Sequence, residues 1–126
     1  MKAIDLSPVV PPGRQVIERY AAGGFRVSGV IHLGPVLVFP ERTLTWDVDG
    51  PAGISPASLA PVVEHGGVRI LILGLGSRSS AVAAELRAAL RCAGIGLEAM
   101  GTGAACRTFN VLLGEDRPVA AALLPL

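Results

Sequence analysis

The chain is predicted to be an α/β protein: one three-layer domain with a mixed central sheet, N-terminal β-hairpins and three helices. Three observations point there. Before residue 50, short apolar segments of period two are punctuated by Gly23-Gly24 and Gly34-Pro35, the residues of tight turns. From Ser55 onward strand and helix periods alternate, the pattern of helices packed on a sheet. The composition is 51% hydrophobic but only 4% aromatic, so Val, Leu, Ile and Ala must fill a core with elements buried on more than one side. At 126 residues the chain fits one domain spanning 1–126.

Residues 1–14 contain Pro8, Pro11 and Pro12, which withhold backbone donors, and are expected to form an extended N-terminal arm. Val16 to Ala21 and Phe25 to Leu33 read as two strands of a hairpin turned at Gly23-Gly24. In the second strand Phe25, Val27, Gly29 and Ile31 share one face. Val36 to Phe39 is apolar on both faces and so covered on both sides. Thr43 to Asp47 alternates, with Leu44 and Trp46 together.

Ser55-Pro56 supplies an N-cap and a first-turn proline, so a helix starts there. Leu59, Val62 and Val63 form its buried stripe, and Gly66-Gly67 ends it. Arg69 to Leu73 is a short strand running into Gly74. A second helix over Ser79 to Ala93 buries Val82, Ala83, Leu86 and Leu90 and exposes Glu85, Arg87 and Arg91. Ile95 to Met100 is a strand. Thr102 caps a third helix with the stripe Ala105, Phe109 and Leu112, and Pro118 to Leu124 is the last strand.

Several functions are excluded by what the residues lack. A mean hydropathy of +0.56 raises the question of a membrane. The most apolar stretch, Val27 to Pro40, is too short to span one and is interrupted by His32, Gly34 and Pro35. The first residues show no basic region followed by an apolar one, and a net charge of +1 without a basic cluster leaves no footprint for nucleic acid. Cys92, Cys106, His32 and His65 have no metal-ligand spacing, so no metal is expected, and two buried, reduced thiols are. No cofactor is implied, no carboxylate pair suggests a general acid and base, and no catalytic residue is assigned. An enzyme is the less favoured reading.

Two segments could bind something. Gly74-Leu75-Gly76-Ser77-Arg78-Ser79-Ser80 is a glycine-rich turn between strand and helix, which can present backbone N–H groups to a phosphate or carboxylate. It imitates a dinucleotide fingerprint, with Glu98 near the next strand end, but Ser79 stands at the third small position. The same glycines also suit plain close packing. The second segment is Gly101-Thr102-Gly103-Ala104-Ala105-Cys106-Arg107. If its strand neighbours the Arg69 strand in parallel, both turns open on one sheet edge, and Arg78 and Arg107 could line an electropositive notch. Cys106 lies where a helix dipole can lower a thiol pKa, yet no base stands near it in sequence, so it is expected to be a small core residue. Arg107 and Asn110 share a helix face. Either Asn110 satisfies buried carbonyls while Arg107 pairs with Glu98 or Glu115, or that face docks a protein together with Arg78.

The residues Tyr20, Gly24-Phe25, Gly29, Trp46, Gly74-x-Gly76, Ala104-Ala105-Cys106-Arg107-Thr108-Phe109-Asn110-Val111-Leu112-Leu113, Glu115-x-Arg117 and Val119-Ala120-Ala121-x-Leu123-x-Pro125 resemble one family of small proteins. This is the Mth938-like family, which includes the mitochondrial assembly factor 3 of respiratory complex I and the cytosolic adipogenesis-associated domain protein of animals. The likeness runs from Tyr20 to the C-terminus, and Ala-Ala-Cys-Arg-Thr-Phe-Asn is its most specific part. The resemblance implies a three-layer α/β fold, a role in protein assembly for the mitochondrial relatives and no established reaction for bacterial ones. Leu75 and Pro118 depart from the family pattern, which weakens a phosphate cradle and removes a charge from the functional edge. The combined expectation is a bacterial, cytoplasmic assembly or interaction factor whose partner is another protein. The alternative is a binder of a small molecule or anion. The candidate residues are Gly74, Gly76, Ser77, Arg78, Thr102, Arg107 and Asn110.

Overall fold

The computed structural model describes residues 4–5, 13–77 and 82–126, which form two sheets with helices between and behind them. Strands β1 (Ile4–Asp5), β2 (Ile17–Ala21), β3 (Gly24–Val27) and β4 (Val30–Leu33) make an antiparallel sheet in that order. The rest of the N-terminal arm lies outside the described residues. The segment read from sequence as a single strand, Phe25 to Leu33, is instead a hairpin. Ser28 (φ 47°) and Gly29 (φ 82°) both take left-handed backbone, the conformation of a two-residue turn whose twist matches its strands. Gly23 and Gly24 are not left-handed; Gly24 opens β3 and pairs with Ala21.

The second sheet is mixed and has the order β6-β5-β9-β7-β8. It contains β5 (Val36–Val38), β6 (Thr43–Thr45), β7 (Ile70–Leu75), β8 (Gly96–Met100) and β9 (Val119–Leu124). β9 lies at the centre, antiparallel to β5 and parallel to β7, and all six of its residues are buried. Its side chains alternate between two cores. Ala120, Ala122 and Leu124 join Leu71, Leu73, Leu86 and Leu90 on one face. Val119, Ala121 and Leu123 join Ile72, Phe109 and Leu113 on the other. Such two-sided burial selects apolar residues at every position rather than every second one.

The helices are α1 (Ala60–His65), α2 (Ala84–Cys92) and α3 (Thr102–Gly114). Leu59 and Val62 from the α1 region and Leu86 and Leu90 from α2 cover the first face. The second face is covered by α3, and beyond it lies the four-stranded sheet, which contributes Ile17, Tyr20, Phe25 and Val27. In order through the molecule lie α1 and α2, the mixed sheet, α3 and the four-stranded sheet. Each large side chain removed from water, Phe109 for example, contributes about 2–3 kcal/mol.

Local departures from the sequence reading have identifiable causes. Ser55 does start the first helical region. Its Oγ accepts from Ser58 N–H at 3.2 Å while Ser55 N–H donates to Ser58 Oγ at 3.0 Å, a reciprocal cap. The first turn is 3-10 over Ala57–Leu59, and α1 follows from Ala60. Val63, expected inside, is 43% exposed because the short helix presents a single narrow stripe to the sheet. Ala83 is extended and exposed, directly before α2 rather than within it, and Val82 packs only partly against the core. The earlier residues proposed for that helix, 79–81, lie outside the described residues. Cys92, expected buried, is exposed on the outer side of α2, while Cys106 is buried.

The distance between α3 and the central sheet is set at Gly74. A Cβ there would stand 2.9 Å from Leu123 Cδ2, 3.1 Å from Ala105 Cβ and 3.2 Å from the Thr102 Cα. Gly74→Ala should therefore force α3 away from β7 and cost about 1–3 kcal/mol, the range for overpacking a core. Gly96→Ala, where the nearest atom is 3.9 Å away, is the control and should change stability by less than about 1 kcal/mol. Urea unfolding of the two variants, both in strands of one sheet, checks this; equal costs would refute the steric account.

Candidate functional site

The expected meeting of the two glycine turns is present. β7 and β8 are parallel neighbours with Gly74 opposite Met100, so both strands end on one edge. There Gly76 N–H donates to Thr102 Oγ1 at 2.8 Å, and Thr102 N–H returns a bond to Gly76 O at 2.8 Å. The Thr102 hydroxyl in turn donates to Leu124 O. Thr102 is wholly buried and joins three strand ends. It is not the helix cap predicted from sequence. Gly101, extended at φ −64° and ψ 155°, is the N-cap and makes no side-chain bond. The competing demand was the strand ends: three backbone groups there need a partner, and an inward hydroxyl serves two of them at once.

This arrangement consumes much of what would bind an anion. The first N–H of α3 is occupied by Gly76 O. The neighbouring hollow of about 550 Å³ is lined by Gly76 and Ser77, but also by Asp49 and by Pro35, Leu75 and Pro125. A carboxylate and apolar walls disfavour a negative ligand. Arg107 does not line it, and Arg78 lies outside the described residues. The notch expected between Arg78 and Arg107 thus falls partly outside the described residues.

The other side of α3 holds the motif that marks the chain. Gly103, Arg107 and Asn110 fall on the face toward β2. A Cβ at Gly103 would come 2.5 Å from the Tyr20 hydroxyl, so glycine is what lets the ring lie on the helix. Arg107 Nη1 donates to the same Tyr20 hydroxyl at 3.2 Å. The expected pairing of Arg107 with Glu98 or Glu115 does not occur, because Arg107 faces the sheet layer in which Tyr20 offers an acceptor. Arg107 otherwise stays exposed.

Asn110 is buried, and its amide matches one residue's backbone. Oδ1 accepts from Ile17 N–H at 3.1 Å and Nδ2 donates to Ile17 O at 2.9 Å. The β2–β3 register is irregular between Ile17 and Arg19. The side chain thus supplies at Ile17 the donor and acceptor that a strand neighbour would offer, which leaves no buried polar side-chain atom unpaired among the described residues. Of the two readings that the sequence leaves open, Asn110 against buried backbone is the one this geometry matches, with Ile17 as a partner the sequence did not point to. The signal available was the pairing in one motif of Gly103, Arg107 and Asn110 at helical spacing, which marks a contacted face.

Cys106 points into the same core, between α3 and the sheets. Burial pushes its pKa up from 9.0 to about 12, outweighing the smaller lowering by Arg107 and by a backbone hydrogen bond. The helix-start effect weighed from sequence loses to desolvation. A thiol so held is protonated at neutral pH and is no nucleophile. His65 is engaged elsewhere, stacked on Phe39 with ring centroids 4.9 Å apart and its Nε2 2.6 Å from Glu41 Oε1. Among the described residues no cluster of three or more His, Cys, Asp or Glu could hold a metal ion.

Two outcomes are expected from this geometry. Asn110→Ala leaves the Ile17 N–H and C=O buried without partners and should cost about 2–3 kcal/mol in urea unfolding; a cost near zero would mean that water or backbone shifts replace the amide. Cys106 makes stability pH-dependent. Its pKa is about 12 folded against 9.0 for the unperturbed thiol, so between those values the unfolded chain sheds a proton that the folded chain keeps. The contribution is intact below pH 9 and is lost as pH rises toward 12, by on the order of 1 kcal/mol per unit. Cys106→Ala should thus be the less stable protein at pH 8 by on the order of 1 kcal/mol, and should lose less stability than the native chain on going to pH 10.5. Parallel alkaline limbs in the two proteins would contradict the assignment.

With that geometry in place, the chain can be compared with known proteins. It belongs to the family described as protein of unknown function (DUF498/DUF598), whose model matches residues 17–124. It is 38% identical over 116 residues to the NADH dehydrogenase [ubiquinone] 1 alpha subcomplex assembly factor 3 of Danio rerio, covering 87% of this chain and 64% of the relative. The chain thus spans a little under two thirds of that relative's length. Among solved structures it is similar to an outer membrane protein from Bartonella henselae, at 38% identity and a TM-score of 0.83, over 90% of this chain and 97% of that one. It is also similar to a Mth938-like domain protein of Bordetella pertussis, at 26% identity and a TM-score of 0.81, over 97% and 92% of the two chains. The resemblance read from the motif is confirmed, and with it the α/β fold.

Proposed function

We propose that this member of the DUF498/DUF598 family is a non-enzymatic assembly factor that holds another protein through the exposed side of α3 around Arg107. The observation that carries the reading is how the motif spends its polar groups. Thr102 and Asn110 are committed to backbone inside the molecule, and the Cys106 thiol is held protonated. What the motif still offers outward is the Arg107 guanidinium, seated on Tyr20. Catalysis needs converging groups with free valences; a docking face needs a rigid, accessible charge.

The relative named as complex I assembly factor 3 supports the same reading for the part of its length that this chain covers. On this proposal the partner is a protein, and nucleic acid and small anions are not ligands. We place the protein in the bacterial cytoplasm, in line with its likeness to a bacterial Mth938-like domain protein.

Affinity capture from a native lysate tests this. Arg107→Glu, alone and with Arg78→Glu, should reduce the captured partner at least tenfold while the melting temperature shifts by no more than about 2 °C, since an exposed charge contributes little to stability. Retention of the partner by the double variant would sink the proposal. Phosphate at about 10 mM should leave the melting temperature of the native chain unchanged, and a clear rise would restore the anion reading.

A further inference from the structure

Among the described residues nothing pairs with the outer side of strand β4, an unprotected sheet edge. It lies at the end of the four-stranded sheet, and its sequence Val30-Ile31-His32-Leu33 contains no Lys, Arg, Asp, Glu or Pro. Its pairing with β3 is regular, without a bulge. Those are the devices with which exposed edges are normally blunted. Instead Val30, Ile31 and Leu33 are 56%, 72% and 80% exposed.

The tight turn at Ser28-Gly29 decides which backbone groups face outward. It makes Val27 and Val30 a hydrogen-bonded pair, so Phe25 and His32 are the next, and Gly34 N–H to Gly23 O at 3.0 Å continues the series. Ile31 and Leu33 then aim their N–H and C=O groups away from the sheet. Their side chains share its outer face beside Arg26 and Gly24, at the rim of a groove of about 300 Å³ that Tyr20 and Phe25 also line.

We propose that β4 pairs with β4 of a second copy of this chain, antiparallel about a two-fold axis at His32, to give one continuous eight-stranded sheet. In that register Ile31 bonds Leu33 of the second copy, and Leu33 bonds its Ile31. The two outward residues of one copy thus find the two of the other, with four backbone hydrogen bonds. The same pairs put apolar side chains together on the outer face, the favourable cross-strand arrangement. Charge agrees with a like partner: the strand has none to repel its copy, and Arg26 is held by Glu18, Nε to Oε1 at 3.3 Å. The symmetry closes, because using β4 leaves as the outer edges two copies of the two-residue strand β1, so pairs form rather than fibres.

The interface is small. Three exposed side chains and a strand edge bury on the order of 400 Å² per copy, about half of a standard interface, so the dimer is expected to be weak, with a dissociation constant on the order of 10–100 μM. Sedimentation equilibrium of the full chain from about 5 to 500 μM should show a mass rising from 12.9 kDa toward twice that value. Ile31→Lys with Leu33→Lys should weaken association at least tenfold, with an unchanged circular dichroism spectrum. A second variant serves if the first is unfolded: His32→Cys in a Cys92→Ser background should oxidise to a covalent dimer, whereas Val111→Cys in that background, on α3 and more exposed than residue 32, should not. A monomer at every concentration overturns the proposal and leaves the edge to a strand of another protein. Association that the lysine variant retains, or equal cross-linking at residues 32 and 111, also overturns it.

Discussion

Helix α3 is covered on two sides by two different sheets, and the architecture follows from that constraint. One side lies on β7 and β9 through Ala105, Phe109 and Leu113; another carries Tyr20 and Ile17 of the second sheet. A helix held between two sheets must be narrow wherever it approaches either. Gly74 makes room on one side and Gly103 on the other. The two sheets are joined through this helix more than through their own strands. Asn110 supplies the polar part of the joint, because an extended backbone facing a helix would otherwise bury unpaired groups.

The same constraint explains why the residues that identify the family are poor candidates for catalysis. Ala-Ala-Cys-Arg-Thr-Phe-Asn is a packing surface with two directions written into one helix. Ala105 and Cys106 are small because the sheets are close, and Cys106 is buried deeply enough that its thiol loses ionisability. Thr102 closes the strand ends with a hydroxyl that a ligand-binding turn would leave free. What the motif turns outward is Arg107, seated on Tyr20.

Much of this was legible in the chain. The mixed α/β class, a last apolar strand over Pro118 to Leu124 and the burial of Cys106 follow from periodicity and composition, because each concerns a whole element facing one environment; the parallel pairing of β7 and β8 entered only as a condition, and the central place of β9 not at all. Four further particulars were not legible. Ser28-Gly29 was hidden inside an alternating apolar run, where strand periodicity outvoted a dipeptide whose glycine permits a left-handed turn. The cap of α3 shifted from Thr102 to Gly101 because the hydroxyl was needed by β7 and β9, a tertiary demand invisible locally. Arg107 found Tyr20, 87 residues away in sequence, rather than a nearby carboxylate. Cys92 falls on the solvent side of α2, which the alanine-rich face around it did not reveal. The last three share a cause: each depends on which distant element, or none, stands opposite.

The central position of β9 has a consequence for biosynthesis. This strand follows every other strand of its sheet in the chain, yet it separates β5 from β7, bonding Val36 to Leu123 and Ile70 to Val119 in register. Until the ribosome has released residues 119–124, the sheet has a gap at its middle and both cores lack a wall. The two halves made earlier, the N-terminal hairpins and the β7–β8 unit, must wait with apolar faces exposed. Long-range closure of that kind slows folding and lengthens exposure to aggregation. A nascent chain of this topology therefore keeps both apolar faces open until its last strand is made.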